Sequence, residues 1–115
     1  MQSPRIRNRC REVSTLLGVP IEIQDDDIIL TDESFAPGYG VASSRVWKSI
    51  VVFAQQEALV LDPTYTGKTA AAFLNHLERA APDDNVMFIH TGGTPGIFAY
   101  QSELENALEE QALDN

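Results

Sequence analysis

The stretch Asp62-Pro63-Thr64-Tyr65-Thr66-Gly67-Lys68 decides how this chain is read. Ala58-Leu59-Val60-Leu61 leads into it, and Ala70, Phe73, Leu74 and Leu77 follow at helical spacing. A second stretch, His90-Thr91-Gly92-Gly93-Thr94-Pro95-Gly96, repeats the arrangement. Val86-Met87-Phe88-Ile89 precedes it and a helical pattern follows it. Both apolar runs are predicted as buried strands, and both polar stretches as strand-to-helix loops. In an open α/β sheet such loops converge on one crevice at the ends of the strands. The two loops are therefore the expected site.

Outward from them, Ser3-Pro4 reads as an N-cap serine with proline at the first helical position. Ile6, Cys10, Val13 and Leu17 continue at helical spacing, and Gly18 and Pro20 end the helix. Ile21-Glu22-Ile23 and Ile28-Ile29-Leu30 read as short strands around a turn at Asp25-Asp26-Asp27. Residues 31–43 carry turn formers around Tyr39 and form a loop of the length that often serves function. Val46, Ile50 and Phe53 mark a helix over 44–57, and a last helix runs through the acidic tail. The pattern predicts an α/β fold, a partial parallel sheet with crossover helices, in a single partial domain over residues 1–115. Two continuous apolar strands with one crossover make a thin domain that lacks sheet neighbours.

The composition narrows the function. A chain of 115 residues is one domain at most, with enough length to bury a core. The formal net charge of -9 argues against nucleic acid as partner. No apolar run approaches the roughly 20 residues that span a bilayer. The arginines Arg5, Arg7, Arg9 and Arg11 are not followed by an apolar signal core. A single cysteine, Cys10, forms no internal disulfide and suits a cytoplasmic protein. The histidines, His76 and His90, and the scattered acids show no metal-ligand spacing.

Gly67-Lys68-Thr69 matches the tail of a phosphate-binding P-loop, which would make this a small nucleotide-binding α/β protein. The P-loop pattern needs glycine where Asp62 stands, and Pro63 has no N–H to offer phosphate, so the plain alternative is a helix start with Lys68 in solvent. Residues 91–96 are a glycine-rich turn whose amides could receive an anion. Tyr39 and Tyr65 stand in loops flanked by glycine or proline, where a phenol can pass a proton or brace an intermediate. A non-catalytic binding or assembly module, docking through an exposed sheet edge, is the rival from another class.

Three strings, Pro37-Gly38-Tyr39-Gly40, Leu61-Asp62-Pro63-Thr64-Tyr65-Thr66-Gly67-Lys68 and Phe88-Ile89-His90-Thr91-Gly92-Gly93, occur in an order and spacing that resemble one family. It is the pyridoxal-phosphate-dependent family of D-cysteine desulfhydrase and 1-aminocyclopropane-1-carboxylate deaminase, and the likeness is to its C-terminal part. The resemblance implies a tryptophan-synthase-β-like (type II) fold, usually homodimeric, acting on small amino acids to give a 2-oxo acid and ammonia. It implies Tyr39 and Tyr65 as active-site tyrosines, and Thr66, Thr91, Gly92 and Gly93 as residues at the cofactor. Thr91 would meet the pyridine nitrogen, and the glycine-rich loop would lie at the ring and not at the phosphate. The deaminases resemble one another in carrying glutamate where this chain has Thr66. A carboxylate there favours a protonated pyridine, whereas a hydroxyl does not. Thr66 thus leans the resemblance to desulfhydrase chemistry, D-cysteine to pyruvate, ammonia and sulfide. The family's Schiff-base lysine has no counterpart, since Lys48 and Lys68 are the only lysines and neither has that context. The resemblance therefore implies a remnant, a truncated product or one piece of a split protein, inactive by itself.

Overall fold

A computed structural model describes residues 2–113. The chain forms two units, one ending at Thr31 and the other beginning at Asp32.

The first unit is built on α1 (Ser3–Leu17). Proline sits in its first turn, where its missing N–H costs no helical hydrogen bond. The N-cap is Gln2, one residue earlier than the sequence suggests, and its side chain makes no cap bond. Gly18 takes φ 64°, and the amides of Gly18 and Val19 bond the carbonyls of Thr15 and Ser14. This is the left-handed stop that glycine makes without steric cost. Ser14 Oγ then ties the following chain back, donating to Val19 O at 2.6 Å and accepting from Ile21 N at 3.0 Å. Asp25–Asp27 is a 3₁₀ turn closed by reciprocal bonds between Gln24 and Asp27, and Asp25 pairs with Arg7.

The second unit carries the candidate site. It holds α2 (Ser44–Glu57), α3 (Thr66–Leu77), a 3₁₀ helix (Thr94–Tyr100) and α4 (Gln101–Leu113). Ser43 caps α2, accepting from Val46 N at 3.4 Å. The apolar stripe of α2, Val46, Ile50, Val51 and Phe53, is buried against α3 and α4. Leu61, Ala70, Ala71, Ile97 and Ala107 complete that core. Phe53, Phe73 and Phe88 close one end, with ring centroids 4.9 to 6.0 Å apart. Tilted and edge-on aromatic pairs at such distances add attraction beyond the area they bury.

The expected α/β fold, a partial parallel sheet with crossover helices, does not form. Among the described residues there is no strand, only an isolated bridge between Gly38 and Val41. Residues 58–61 and 86–89 connect helices without regular structure. A strand exists only through a neighbour that accepts its N–H groups and donates to its carbonyls. These two runs do not supply that pairing for each other. Ile21-Glu22-Ile23 and Ile28-Ile29-Leu30, read as short strands, lack it as well. Burial fails in the same places. Leu61 and Phe88 turn into the core, while Met87 is 82% exposed and Ile89 68%. The apolar run was a fair sign of hydrophobic demand, but it does not carry its own hydrogen-bonding partner.

Close packing pins α3 to α2 at Gly67. A Cβ there would lie 2.7 Å from the Asp62 carbonyl oxygen and 2.8 Å from two side-chain atoms of buried Ile50. Gly67→Ala gains about 1 kcal/mol of helix propensity at most. It incurs roughly 1–3 kcal/mol of overpacking, because one neighbour is backbone and the other a fully buried isoleucine. We expect net destabilisation, read as a lower urea midpoint with an unchanged slope; an unchanged or higher midpoint would show that α2 and α3 are not held this closely.

Candidate functional site

The site begins at Asp62, where the chain turns into α3. The first amides of a helix have no partner within it. Here the Asp62 carboxylate takes the first of them, Thr66 N at 3.0 Å on Oδ1, together with the two amides just ahead of the helix, Thr64 N at 2.8 Å and Tyr65 N at 2.7 Å on Oδ2. Thr66 Oγ1 also donates to Oδ1 at 2.7 Å and accepts from the Asp62 amide at 3.0 Å. Gly67 N completes the knot on the Asp62 carbonyl at 2.8 Å. Asp62 and Thr66 are both buried. Burial pushes the Asp62 carboxyl up, but the hydrogen bonds from Thr66, Tyr65 and Thr64 outweigh it and hold the group below its ordinary value.

This knot leaves Tyr65 at the α3 N-cap, 57% exposed. Tyr39 comes from the 32–41 loop and is 75% exposed. Their hydroxyls lie 2.7 Å apart, and their rings meet edge-on at 5.9 Å and 71°. The Tyr39 hydrogen bond raises the Tyr65 phenol above its ordinary value. The pair is an open, surface-facing one, unlike a tyrosine in a dry pocket.

The glycine-rich loop arrives on the other side of Asp62. Gly92 and Gly93 take φ 99° and 90°. A Cβ on Gly93 would sit 2.7 Å from Asp62 Oδ1, so glycine is needed for this approach as well as for its φ. Gly92 N donates to His90 Nδ1 at 3.0 Å, Gly96 N to Gly93 O at 2.8 Å, and Thr94 Oγ1 to Val60 O at 2.9 Å. Thr91 and Gly92 are exposed. Of the residues expected at a site, Tyr39 and Tyr65 are thus in direct contact, and Gly93 reaches them through Asp62. Thr91 and Gly92 lie on the same loop as Gly93. Thr66 lies beneath, with its hydroxyl committed to Asp62.

Sequence reasoning missed the residues that hold these loops together. Asp62 counted only against a P-loop, although aspartate ahead of a helix start is a strong capping signal. Lys68 was expected in solvent, yet it is 9% exposed. Its ammonium donates to Phe35 O at 2.9 Å and Gly38 O at 2.5 Å. Tyr100 donates to Gly40 O at 2.8 Å and packs on Trp47. The P-loop alternative loses its chemistry here, because Asp62 occupies the helix-start amides and Lys68 is spent on carbonyls.

The chain is 39% identical, over 105 residues and 90% of its length, to D-cysteine desulfhydrase from Yersinia enterocolitica. It is 40% identical over 80 residues, 68% of its length, to D-cysteine desulfhydrases from two Klebsiella pneumoniae strains. Over that span the chain is a relative of the D-cysteine desulfhydrases, like a C-terminal part of them. It spans 31% of the Yersinia relative's length and 24% of each Klebsiella relative's. No protein-family model matches it. Within this desulfhydrase-related segment, the Asp62 knot, the tyrosine pair and the Gly92-Gly93 turn form one connected cluster.

The lowered Asp62 value has a pH consequence. A carboxyl held lower in the folded state than in the unfolded chain adds stability above its unfolded pKa, near 3.9, which is lost as pH falls through the folded value. Asp62→Asn removes that acid limb and turns amide hydrogens toward N–H donors. It should lower stability at pH 7 by about 2–4 kcal/mol, the scale of breaking charge-assisted buried bonds. The variant's stability should also fall less steeply than the parent's below about pH 4. Parallel acid-limb slopes in urea titrations would sink this account.

Proposed function

We propose that this cluster is the substrate-facing part of a pyridoxal-phosphate-dependent site that eliminates sulfide from D-cysteine. The observation that carries the proposal is the Tyr39–Tyr65 phenol pair at 2.7 Å, in two loops whose motifs match the family. The relatives' names support the substrate. Thr66, neutral and bound to Asp62, supports the desulfhydrase branch over 1-aminocyclopropane-1-carboxylate deaminase.

The residues fit pyridoxal phosphate at its ring end. Thr91 is an exposed neutral hydroxyl beside Gly92 and Gly93, suited to an uncharged pyridine nitrogen and a flat ring. They do not supply its phosphate site, because Asp62 takes the α3 amides and Lys68 is bound to carbonyls. The phosphate loop and the Schiff-base lysine then belong to an N-terminal portion outside these 115 residues, because a second copy in a homodimer would bring only the same Lys48 and Lys68. A cytoplasmic location is part of the same proposal, supported by the unpaired Cys10.

Bound pyridoxal phosphate supplies the electron sink for the substrate carbanion. Tyr65 offers a hydrogen bond to the departing sulfur, and Tyr39 orients it. In the overall reaction the Cα–H and Cβ–S bonds break and sulfide leaves. Water then hydrolyses the resulting enamine to pyruvate and ammonia.

The 115-residue chain alone should release no pyruvate from D-cysteine, and borohydride should trap no cofactor adduct on Lys48 or Lys68. Grafted in place of the matching segment of the Yersinia relative, it should support sulfide release. Tyr65→Phe in that chimaera should cut turnover by about 10²-fold or more, the scale of positioned proton-transfer groups. An active chimaera indifferent to both Tyr39→Phe and Tyr65→Phe would overturn the assignment, and pyruvate release by the isolated chain would refute the need for outside residues.

A further inference from the structure

We infer that Lys68 is a positioning residue, whose ammonium fixes the Tyr39 loop at hydrogen-bonding distance from Tyr65. The inference rests on the tyrosine pair being the working site, as proposed above.

Three observations carry it. Lys68 lies on the first turn of α3, three positions after Tyr65, so its backbone moves with that tyrosine. Its Nζ reaches across to Phe35 O and Gly38 O, and Gly38 is the residue next to Tyr39. The Phe35 ring packs over the same ammonium, 5.5 Å from Nζ to centroid. The partners are thus two carbonyl oxygens and an aromatic face on one short segment of loop.

The choice of group matters. Burying an ammonium costs free energy unless its hydrogens are bonded. An apolar contact would glue the loop to α3 at less cost but with little control of direction. An ammonium has three donors that radiate from one nitrogen, which suits the convergence of carbonyls from positions 35 and 38 on it. A guanidinium spreads its donors in a plane and does not reproduce that convergence. The 32–41 loop has little structure of its own beyond the Gly38–Val41 bridge. Tyr100 ties it at Gly40 and Asn75 bonds Glu33. Lys68 alone among these ties holds both Phe35 and Gly38, the stretch leading into Tyr39.

The test uses the full chain with ¹³Cζ-labelled tyrosine and follows the Tyr65 phenol through its alkaline titration by NMR. Tyr39→Phe serves as the reference for a broken pair and should lower the Tyr65 midpoint toward that of free tyrosine. Lys68→Met keeps the apolar stem and removes the donors. It should lower the midpoint by as much as Tyr39→Phe, with helical circular dichroism and Trp47 fluorescence unchanged. A Lys68→Met protein that titrates like the parent, while Tyr39→Phe is shifted, overturns the positioning role and spares the pair. If Tyr39→Phe itself titrates like the parent, the pair is not formed, and the proposed site and this inference fail together. Should Lys68→Met not fold, the parent chain decides. A slowly exchanging Lys68 ammonium signal with contacts to the Phe35 ring supports the clamp, and a rapidly exchanging one overturns it.

Discussion

The Asp62 carboxylate is the interaction on which the second unit depends. It takes three amides and a hydroxyl at the start of α3, and its own carbonyl takes the amide of Gly67. Each of these fixes something downstream. Thr66 is drawn into the interior, Tyr65 is turned outward, and Gly67 is set against Ile50 on α2. Gly93 then packs on the same carboxylate from the opposite side, so two loops distant in sequence share one anchor. A single charged group, fully hydrogen-bonded, gives direction where burial alone would give only proximity.

Around that anchor the unit is assembled by side-chain latches and not by a sheet. Lys68 holds the Phe35–Gly38 segment, Tyr100 holds Gly40, and Thr94 holds Val60. Each latch joins a helix or its entry to a loop carbonyl. Loop carbonyls that are left unpaired by a missing ladder need donors, and these side chains provide them. The helices themselves pack by an ordinary apolar stripe on α2. The stripe holds the helices, and the latches set the loops.

What could be read from the sequence follows the same division. The helices were legible, because the spacing of Val46, Ile50 and Phe53 and of Ala70, Phe73 and Leu74 records which faces are buried. The α2 bounds are those expected from the sequence, and the glycine stop after α1 is local chemistry. The two tyrosines were legible as loop residues without a core position. The sheet was misread, because Val86-Met87-Phe88-Ile89 states only that apolar surface exists. It cannot state whether a second strand lies beside it. Lys68 was misread for a related reason. Its partners are backbone carbonyls 30 and 33 positions back in the chain, and a carbonyl leaves no mark in the sequence.

The charges in the cluster share one property. Asp62 is spent on amides and Lys68 on carbonyls, so neither presents its charge to the open face. What the tyrosine pair offers there is neutral, two phenols. A neutral face neither attracts an anion strongly nor stabilises a carbanion by itself, so the polarity needed for chemistry comes from whatever binds there. Tyr65 is prepared for such a partner in one respect. The Tyr39 hydrogen bond raises its phenol above the ordinary value, although the phenol itself is exposed to water. The pair itself stands between two such spent charges, with Asp62 bonded to the amide of Tyr65 and Lys68 to the carbonyl of Gly38, next to Tyr39.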